Sequence, residues 1–161
     1  SFIAPAGFGK VQTSIPFFMK IPGVIEWAMH VLADRFYGSA ISSETAHSND
    51  PLSINEEEFQ QLFSFQMQFK GFRESLASTM RNFNLFDARE IFEKVATKNI
   101  PSIAIWGDND GVVSYRGAET YSEIFHEGKV ITIESGTHDI TYRQPSDVLE
   151  AINIFLDSQI P

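Results

Sequence analysis

The stretch IPSIAIWGDNDGVV (residues 100–113) joins an apolar run to an acidic turn. Residues 102–106 predict a buried strand, and Gly107 ends it. Two carboxylates, Asp108 and Asp110, follow at the point where the strand is expected to turn into a helix. In open parallel sheets, ligands and catalytic groups collect at the carboxyl ends of the strands. Both aspartates are therefore candidate functional residues.

The turn after the next predicted strand contains a histidine. Residues 129–134 (KVITIE) have the apolar character of a strand, and ESGTHDI (134–140) follows with His138 at the turn. An amphipathic helix is predicted over 115–126, and a last helix begins near Pro145, because proline is common in a first helical turn. The order strand, helix, strand, helix indicates parallel strands with right-handed crossovers, so the predicted fold class is α/β.

The two strand ends carry the parts of an acid–base pair. If the strands are neighbours, we expect an Asp110 carboxylate oxygen within hydrogen-bond reach of a ring nitrogen of His138. A carboxylate bound to one imidazole nitrogen fixes the tautomer, and the other nitrogen can then take a proton from a nucleophile. Asp108 is the competing acid. Taken singly, each of these residues is also compatible with an ordinary turn or capping role.

The chain before these motifs is predicted to be mostly helical. FIAPA (residues 2–6) favours a short strand ended by Pro5 and Gly7, and residues 37–53 are small and polar, as in a loop. Three amphipathic helices are predicted next, with these bounds: one beginning at Ser53 or Asn55 with Glu56, Glu57 and Glu58 in its first turn, one over 72–83, and one over 87–98 capped by Asp87.

Composition narrows the class of protein. Of 161 residues, 43% are hydrophobic and 20% charged, which is typical of a globular domain. The net charge of −9 disfavours nucleic acid as a partner. Cysteine is absent, so the chain has no disulfide framework, no thiol nucleophile and no thiolate metal site. That absence is compatible with a reducing compartment such as the cytoplasm.

No membrane span, metal or cofactor is expected. The most apolar stretch, residues 14–33, is interrupted by Lys20, Glu26 and two prolines. The DND-G turn lacks the carboxylates that a calcium loop needs at its first and last positions. The remaining histidines share no ligand spacing and are expected to be structural or solvated: His30, His47 and His126.

The two motifs together resemble the C-terminal third of the α/β-hydrolase superfamily. IPSIAIWGDNDGVV followed by ESGTHDITYRQPSDVLEAINIFL (134–156) has an apolar strand, Trp-Gly, two residues, an Asp, and later Gly-x-His before a helix that begins at Pro. The resemblance implies that Asp110 is the catalytic acid and His138 the catalytic base. Two positions depart from the family pattern: Ser114 stands where Pro is frequent, and Asp139 where an apolar residue is usual.

The resemblance also implies a domain organisation, the C-terminal part of an α/β-hydrolase parallel sheet with an inserted helical cap. Residues 1–9 would supply the first strand of a partial core, 10–98 the cap or lid, and 99–161 the C-terminal core with two strand–helix units. Several phenylalanine rings of the cap are expected to face the catalytic rim or the sheet domain, among Phe17, Phe18, Phe63, Phe65 and Phe69.

The sequence contains no nucleophile motif of this family. No serine lies in G-x-S-x-G, and no Gly-rich turn follows a strand to offer an oxyanion hole. In the family both come earlier in the chain than the acid and the base. We therefore expect a C-terminal fragment that supplies the Asp and His of a catalytic triad and is inactive alone.

The implied activity is that of an esterase or lipase-like carboxylic-ester hydrolase, with a small apolar ester as substrate. Alternatives within the superfamily are a carbon–carbon hydrolase, an epoxide hydrolase and a dehalogenase, the last two with an Asp nucleophile. An alternative of another class is a binding module that kept the fold without the chemistry. Strand 2–6 would have an unpaired edge, so we expect it to pair with the N-terminal part or to form a homodimer.

Overall fold

A computed structural model describes residues 1–9, 21, 23–25, 27–28, 49–83 and 87–159. These residues belong to two compact units. The described residues of the first unit are 1–9, 49–53 and 87–159, and those of the second are 21, 23–25, 27–28 and 54–83. Four residues named above lie outside the described residues: Phe17, Phe18, His30 and His47.

The first unit contains a parallel sheet of three strands. In chain order these are β1 (Phe2–Ile3), β2 (Ile103–Gly107) and β3 (Lys129–Ile133), and they lie side by side in that order. Both pairings are parallel, and Ile105 lies opposite Ile131. The predicted α/β class with adjacent parallel strands is confirmed.

β1 is shorter than the strand predicted over 2–6. Ala4 donates its N–H to Ile105 O at 2.9 Å and then turns away with a φ of 40°. Pro5 follows, and proline has no N–H to continue the ladder. The pairing therefore ends after two strand residues and one further hydrogen bond.

Helices cover both faces of the sheet. In chain order, the helices whose two ends both lie among the described residues are α1 (Glu56–Gln66), α2 (Phe72–Asn82), α3 (Arg89–Ala96), α4 (Gly117–Ile124), α5 (Ile140–Arg143) and α6 (Pro145–Asp157). Successive side chains of a strand point to opposite faces. Ala104 and Trp106 accordingly pack in a core with Tyr121 of α4, while Ile103 and Ile105 pack in a second core below α5 and α6. A strand buried on both faces explains the uninterrupted apolar run of β2.

α3 lies in the first unit, although the sequence placed it within a cap over 10–98. Phe92 of α3 stacks on Phe8 with ring centroids 3.9 Å apart, and Ala88 donates its N–H to Gly7 O at 2.8 Å. Ala88, not Asp87, is the N-cap residue, while Asp87 Oδ1 accepts the N–H of Arg89 at 3.1 Å. This stacking against the N-terminal segment attaches α3 to the core.

The second unit contains α1 and α2. Asn55, rather than Ser53, begins α1: its side chain accepts the N–H of Glu58, and the Glu58 carboxylate accepts the N–H of Asn55, each at 2.9 Å. Gly71, with a φ of 87°, separates α1 from α2 as the sequence indicated. No helix within the described ranges combines the length and the apolar character needed to cross a membrane.

Candidate active site

Two glycines bring the loops after β2 and β3 into direct contact. A Cβ on Gly107 would overlap the carbonyl of Gly136, and a Cβ on Gly136 would lie 2.9 Å from Gly107 Cα. The contact is extended by main-chain hydrogen bonds from Asn109 N to Gly136 O (2.9 Å) and from Asp108 N to Ile133 O (3.2 Å). The loop after β2 and the loop after β3 therefore lie against each other at the carboxyl-terminal edge of the sheet.

Asp110 and His138 are joined across these loops. His138 Nδ1 lies 2.9 Å from Asp110 Oδ2, which confirms the contact predicted from the sequence. The Asp110 carboxylate is fully shielded from solvent, and its other oxygen accepts the N–H groups of Val112 (2.9 Å) and Val113 (2.7 Å). The His138 side chain keeps 38% of its surface exposed. A buried, oriented carboxylate thus supports an imidazole that solvent and small molecules can reach.

This contact assigns different roles to the two ring nitrogens of His138. A carboxylate oxygen only accepts hydrogen bonds, so Nδ1 carries the proton that it donates to Asp110. In the neutral ring Nε2 is then the basic nitrogen. Proton uptake at Nε2 would produce an imidazolium beside a carboxylate, which stabilises the positive charge.

Trp106 supports the loop that carries Asp110. Its indole Nε1 donates to Val113 O at 3.0 Å, and its ring is fully buried. Gly117, in the first turn of α4, allows the helix to approach this ring, because a Cβ there would lie 2.5 Å from it. Val113 is consequently held from both sides, by the indole at its carbonyl and by Asp110 at its N–H.

Asp108, the competing acid, is exposed, and it is Asp110 that contacts the histidine. His126 is also exposed, which agrees with a solvated role. Ser114, one of the two departures from the family pattern, accepts the N–H of Arg116 at 3.4 Å through Oγ. Asp139, the other departure, binds Arg143.

Sequence reasoning missed several residues that shape the site. The N–H groups of Val112 and Val113 have no sequence signal beyond their position after Asp110. The Asp139–Arg143 pair is signalled by its spacing of four residues on a helical turn. Asp50 accepts the N–H and the Oγ–H of Ser146, both at 2.8 Å, at the start of α6, across 96 residues of sequence. No local pattern predicts that contact.

The Asp50 carboxyl is tuned by these bonds. Burial raises its pKa, but hydrogen bonds from Leu52 N–H and from Ser146 outweigh burial and hold the pKa below its ordinary value.

Within the described ranges, no three His, Asp or Glu side chains are grouped to hold a metal ion. A shallow groove of about 520 Å³ runs along β3 and α6 from Ile131 to Ile154; neither Asp110 nor His138 lines it.

Comparison with known proteins supports the fold. Neither protein-family models nor curated proteins gave a match. Among solved structures, the chain is similar to a bromoperoxidase from Bacillus anthracis, with a TM-score of 0.61, 20% identity, and coverage of 96% of this chain and 55% of that one. It is also similar to a serine hydrolase involved in carbazole degradation, the CarC enzyme (TM-score 0.58, 17% identity, 98% and 53% covered).

A third similar structure is the esterase RhEst1 from Rhodococcus sp. ECU1013 (TM-score 0.55, 16% identity, 87% of this chain and 48% of that one). The chain spans about half the length of the solved structures it matches. All three are α/β-hydrolases, and the chain has the α/β-hydrolase fold over the part that it spans.

Proposed function

We propose that this chain supplies the acid–base pair of a hydrolase active site. The observation that carries the proposal is the 2.9 Å hydrogen bond between His138 Nδ1 and Asp110 Oδ2 at the carboxyl ends of adjacent parallel strands. In the reaction, His138 Nε2 takes the proton of a nucleophile as it attacks and later gives it to the leaving group. Asp110 keeps the ring in the required tautomer and stabilises the imidazolium between the two steps.

The nucleophile and the oxyanion donors are proposed to lie outside these 161 residues. The sequence has no G-x-S-x-G, and the chain covers only 48–55% of the three similar structures. In α/β-hydrolases the nucleophile precedes the acid and the base in the chain. An active enzyme would therefore need another part of the polypeptide, or a partner chain, to complete the site.

The proposed substrate is a carboxylic ester with a small apolar acyl group. One similar structure is named an esterase and another a serine hydrolase, which favours acyl transfer through a serine over chemistry with an Asp nucleophile. The second unit is proposed to act as the cap. Phe65 in the last turn of α1 and Phe69 in the turn that follows it are exposed, and their rings meet edge to face at 5.2 Å and offer an apolar surface.

The experiment uses the full polypeptide that carries this chain. A fluorophosphonate probe should label a serine, and replacement of His138 by Ala should lower ester turnover by about 10³-fold or more, because triad residues act as a unit. His126→Ala, at an exposed histidine, is the matched control and should leave turnover unchanged. Undiminished turnover in the His138→Ala variant would overturn the proposal. Turnover without probe labelling would instead indicate an Asp nucleophile.

The 161-residue chain on its own provides the complementary test. It should show no burst of acylation, since it lacks both the group that forms the intermediate and the donors that stabilise it. A burst that disappears in the His138→Ala variant would contradict the assignment of the nucleophile to another part of the protein.

Association through β1 is part of the same proposal. Among the described residues β1 pairs only with β2, so its other edge presents unpaired N–H and C=O groups that can recruit a strand. The isolated chain should therefore pair with the part of the fold that we propose to lie outside it, or form a dimer that includes residues 2–6. Light scattering after size exclusion would contradict this if it showed a monomer at micromolar concentration that melts cooperatively.

A further inference from the structure

His138 lies between two residues that are tied to each other. Thr137 Oγ1 donates a short hydrogen bond to Asp139 Oδ1, and Arg143 Nε donates to Asp139 Oδ2 at 3.0 Å. Both oxygens of the Asp139 carboxylate are therefore engaged, one by the residue that precedes His138 and one by α5. The three residues form a clamp around the main chain of His138, named here the Asp139 clamp.

The Asp139 clamp is largely shielded from solvent. Thr137 is 5% exposed, and the side chains of Arg143 and Asp139 are 12% and 23% exposed. Screening by water is reduced there, and so is the conformational freedom of the Arg143 and Asp139 side chains. The Asp139 carbonyl also accepts the N–H groups of Tyr142 (2.8 Å) and Arg143 (3.0 Å), so the first turn of α5 is built directly on it.

The other side of His138 is fixed by the sheet. Gly136 lies against Gly107, and Gly136 N–H bonds to Ile133 O at 3.1 Å. Only Thr137 and His138 lie between Gly136 and Asp139, whose carboxylate belongs to the clamp. Fixing both ends of so short a segment limits the positions that the imidazole can reach.

We propose that Asp139, with Thr137 and Arg143, positions His138 so that its Nδ1 stays on Asp110. The inference deepens the proposed function of this site and rests on it. Asp139 itself does not act on the reacting atoms; it acts through the loop that carries the base. The geometry of such a base is critical, since a displacement of about 1 Å can lower a rate by about 10²-fold.

A charge effect is the alternative explanation, since a carboxylate next to an imidazole also favours its protonated form. Two variants separate the explanations. Thr137→Val keeps the charge of Asp139 and the shape of residue 137 but removes the hydroxyl donor. Asp139→Asn removes the charge but keeps two polar atoms able to bond to Thr137 and Arg143. If Asp139 positions the imidazole, Thr137→Val should change the exchange of the His138 Hδ1 proton and Asp139→Asn should change it little. If the charge of Asp139 matters instead, Asp139→Asn should change this exchange and Thr137→Val should not.

The measurement is ¹⁵N and ¹H NMR of the histidine rings in the full polypeptide, with His138→Gln used to assign the signal. In the unaltered protein His138 should show the Nδ1-protonated tautomer and a slowly exchanging Hδ1. Asp139→Ala, which removes both contacts, should accelerate Hδ1 exchange with water by about tenfold or more, since the loss of one hydrogen bond alone corresponds to about three- to tenfold. Thr137→Val should give a smaller acceleration, and Asp139→Asn should stay within about twofold of the unaltered protein.

A matched control removes an ion pair elsewhere in the same unit. Arg89→Met breaks the 3.7 Å pair between Arg89 of α3 and Glu123 of α4 and should leave the His138 signal unchanged. Unaltered exchange in both Asp139→Ala and Thr137→Val would overturn the inference, as would a large effect of Asp139→Asn with none of Thr137→Val. If Asp139→Ala does not fold, the other two variants decide. None of these readings requires turnover, so their failure is distinguishable from failure of the proposed function.

Discussion

Gly107 and Gly136 touch through their main chains, and this contact determines where the acid and the base can meet. No other residue type fits at either position without moving the facing loop, since a Cβ would overlap or approach within 2.9 Å of the other glycine. Asp110 follows Gly107 by three residues and His138 follows Gly136 by two. Because the two loops approach closely, the side chains of Asp110 and His138 can form a hydrogen bond of 2.9 Å.

Gly107→Ala should therefore destabilise the protein. An added methyl group at a closely packed contact costs about 1–3 kcal/mol of unfolding free energy. Urea denaturation followed by circular dichroism measures the change. Val112→Ala, at an exposed side chain of the same loop, is the control and should change stability by less than about 0.5 kcal/mol. Equal stability of Gly107→Ala and the unaltered protein would show that the loops can separate without cost.

Asp110→Asn should lower kcat for ester hydrolysis by about 10⁴-fold in the full polypeptide while KM changes little, because an amide supports the wrong tautomer of the imidazole. Asp108→Asn, two residues away on the exposed side of the turn, makes the same change of charge and should retain turnover. Steady-state kinetics of both variants makes the comparison. A loss confined to Asp108→Asn would transfer the role of the acid to Asp108.

Trp106→Phe should destabilise the loop that holds Asp110. The variant loses the indole donor to Val113 O at 3.0 Å and leaves space in a fully buried site, which together cost about 1–3 kcal/mol. Trp27→Phe is a matched control, since Trp27 is 62% exposed. Thermal and urea unfolding of both variants should show a loss only for Trp106. A comparable loss in both would argue against a specific role of the indole.

The hydrogen bonds between Asp50 and Ser146 should make the free energy of unfolding depend on pH in the acid range. Its carboxyl has a lowered pKa in the folded state, so the folded protein binds this proton less readily than the unfolded chain does. The resulting stabilisation is present above the ordinary carboxyl pKa of 3.8 and is lost as the pH falls through the folded-state pKa. At neutral pH, Asp50→Asn should be less stable than the unaltered protein.

Unfolding free energy measured from neutral pH down to pH 3 tests this, and the difference between the two proteins should shrink below about pH 4. Asp157→Asn, at the opposite end of α6, controls for the change in net charge. If the difference in unfolding free energy between the two proteins stayed constant through the acid range, the ionised Asp50 carboxylate would not be its cause.

The elements near the candidate site were predictable because their signals are local. Apolar runs followed by turn residues predict β2 and β3 within one residue of their observed bounds. The Asn55–Glu58 capping box follows from residues three apart. The packing partner of α3 was not predictable for the opposite reason: its amphipathic pattern shows that one face is buried, but not that Phe92 stacks on Phe8, 84 residues earlier.

The sequence by itself determined the class of the sheet, the order of acid and base along the chain, and the placement of both at strand ends. These follow from hydrophobic periodicity and turn chemistry, which act over a few residues. The resemblance already named Asp110 as the acid, but only the tertiary structure made the physical selection, by joining Asp110 rather than Asp108 to a histidine 28 residues away. That selection depends on the parallel register of β2 with β3 and on the contact of Gly107 with Gly136, and the free energy of such contacts is set by packing between segments that no local pattern specifies.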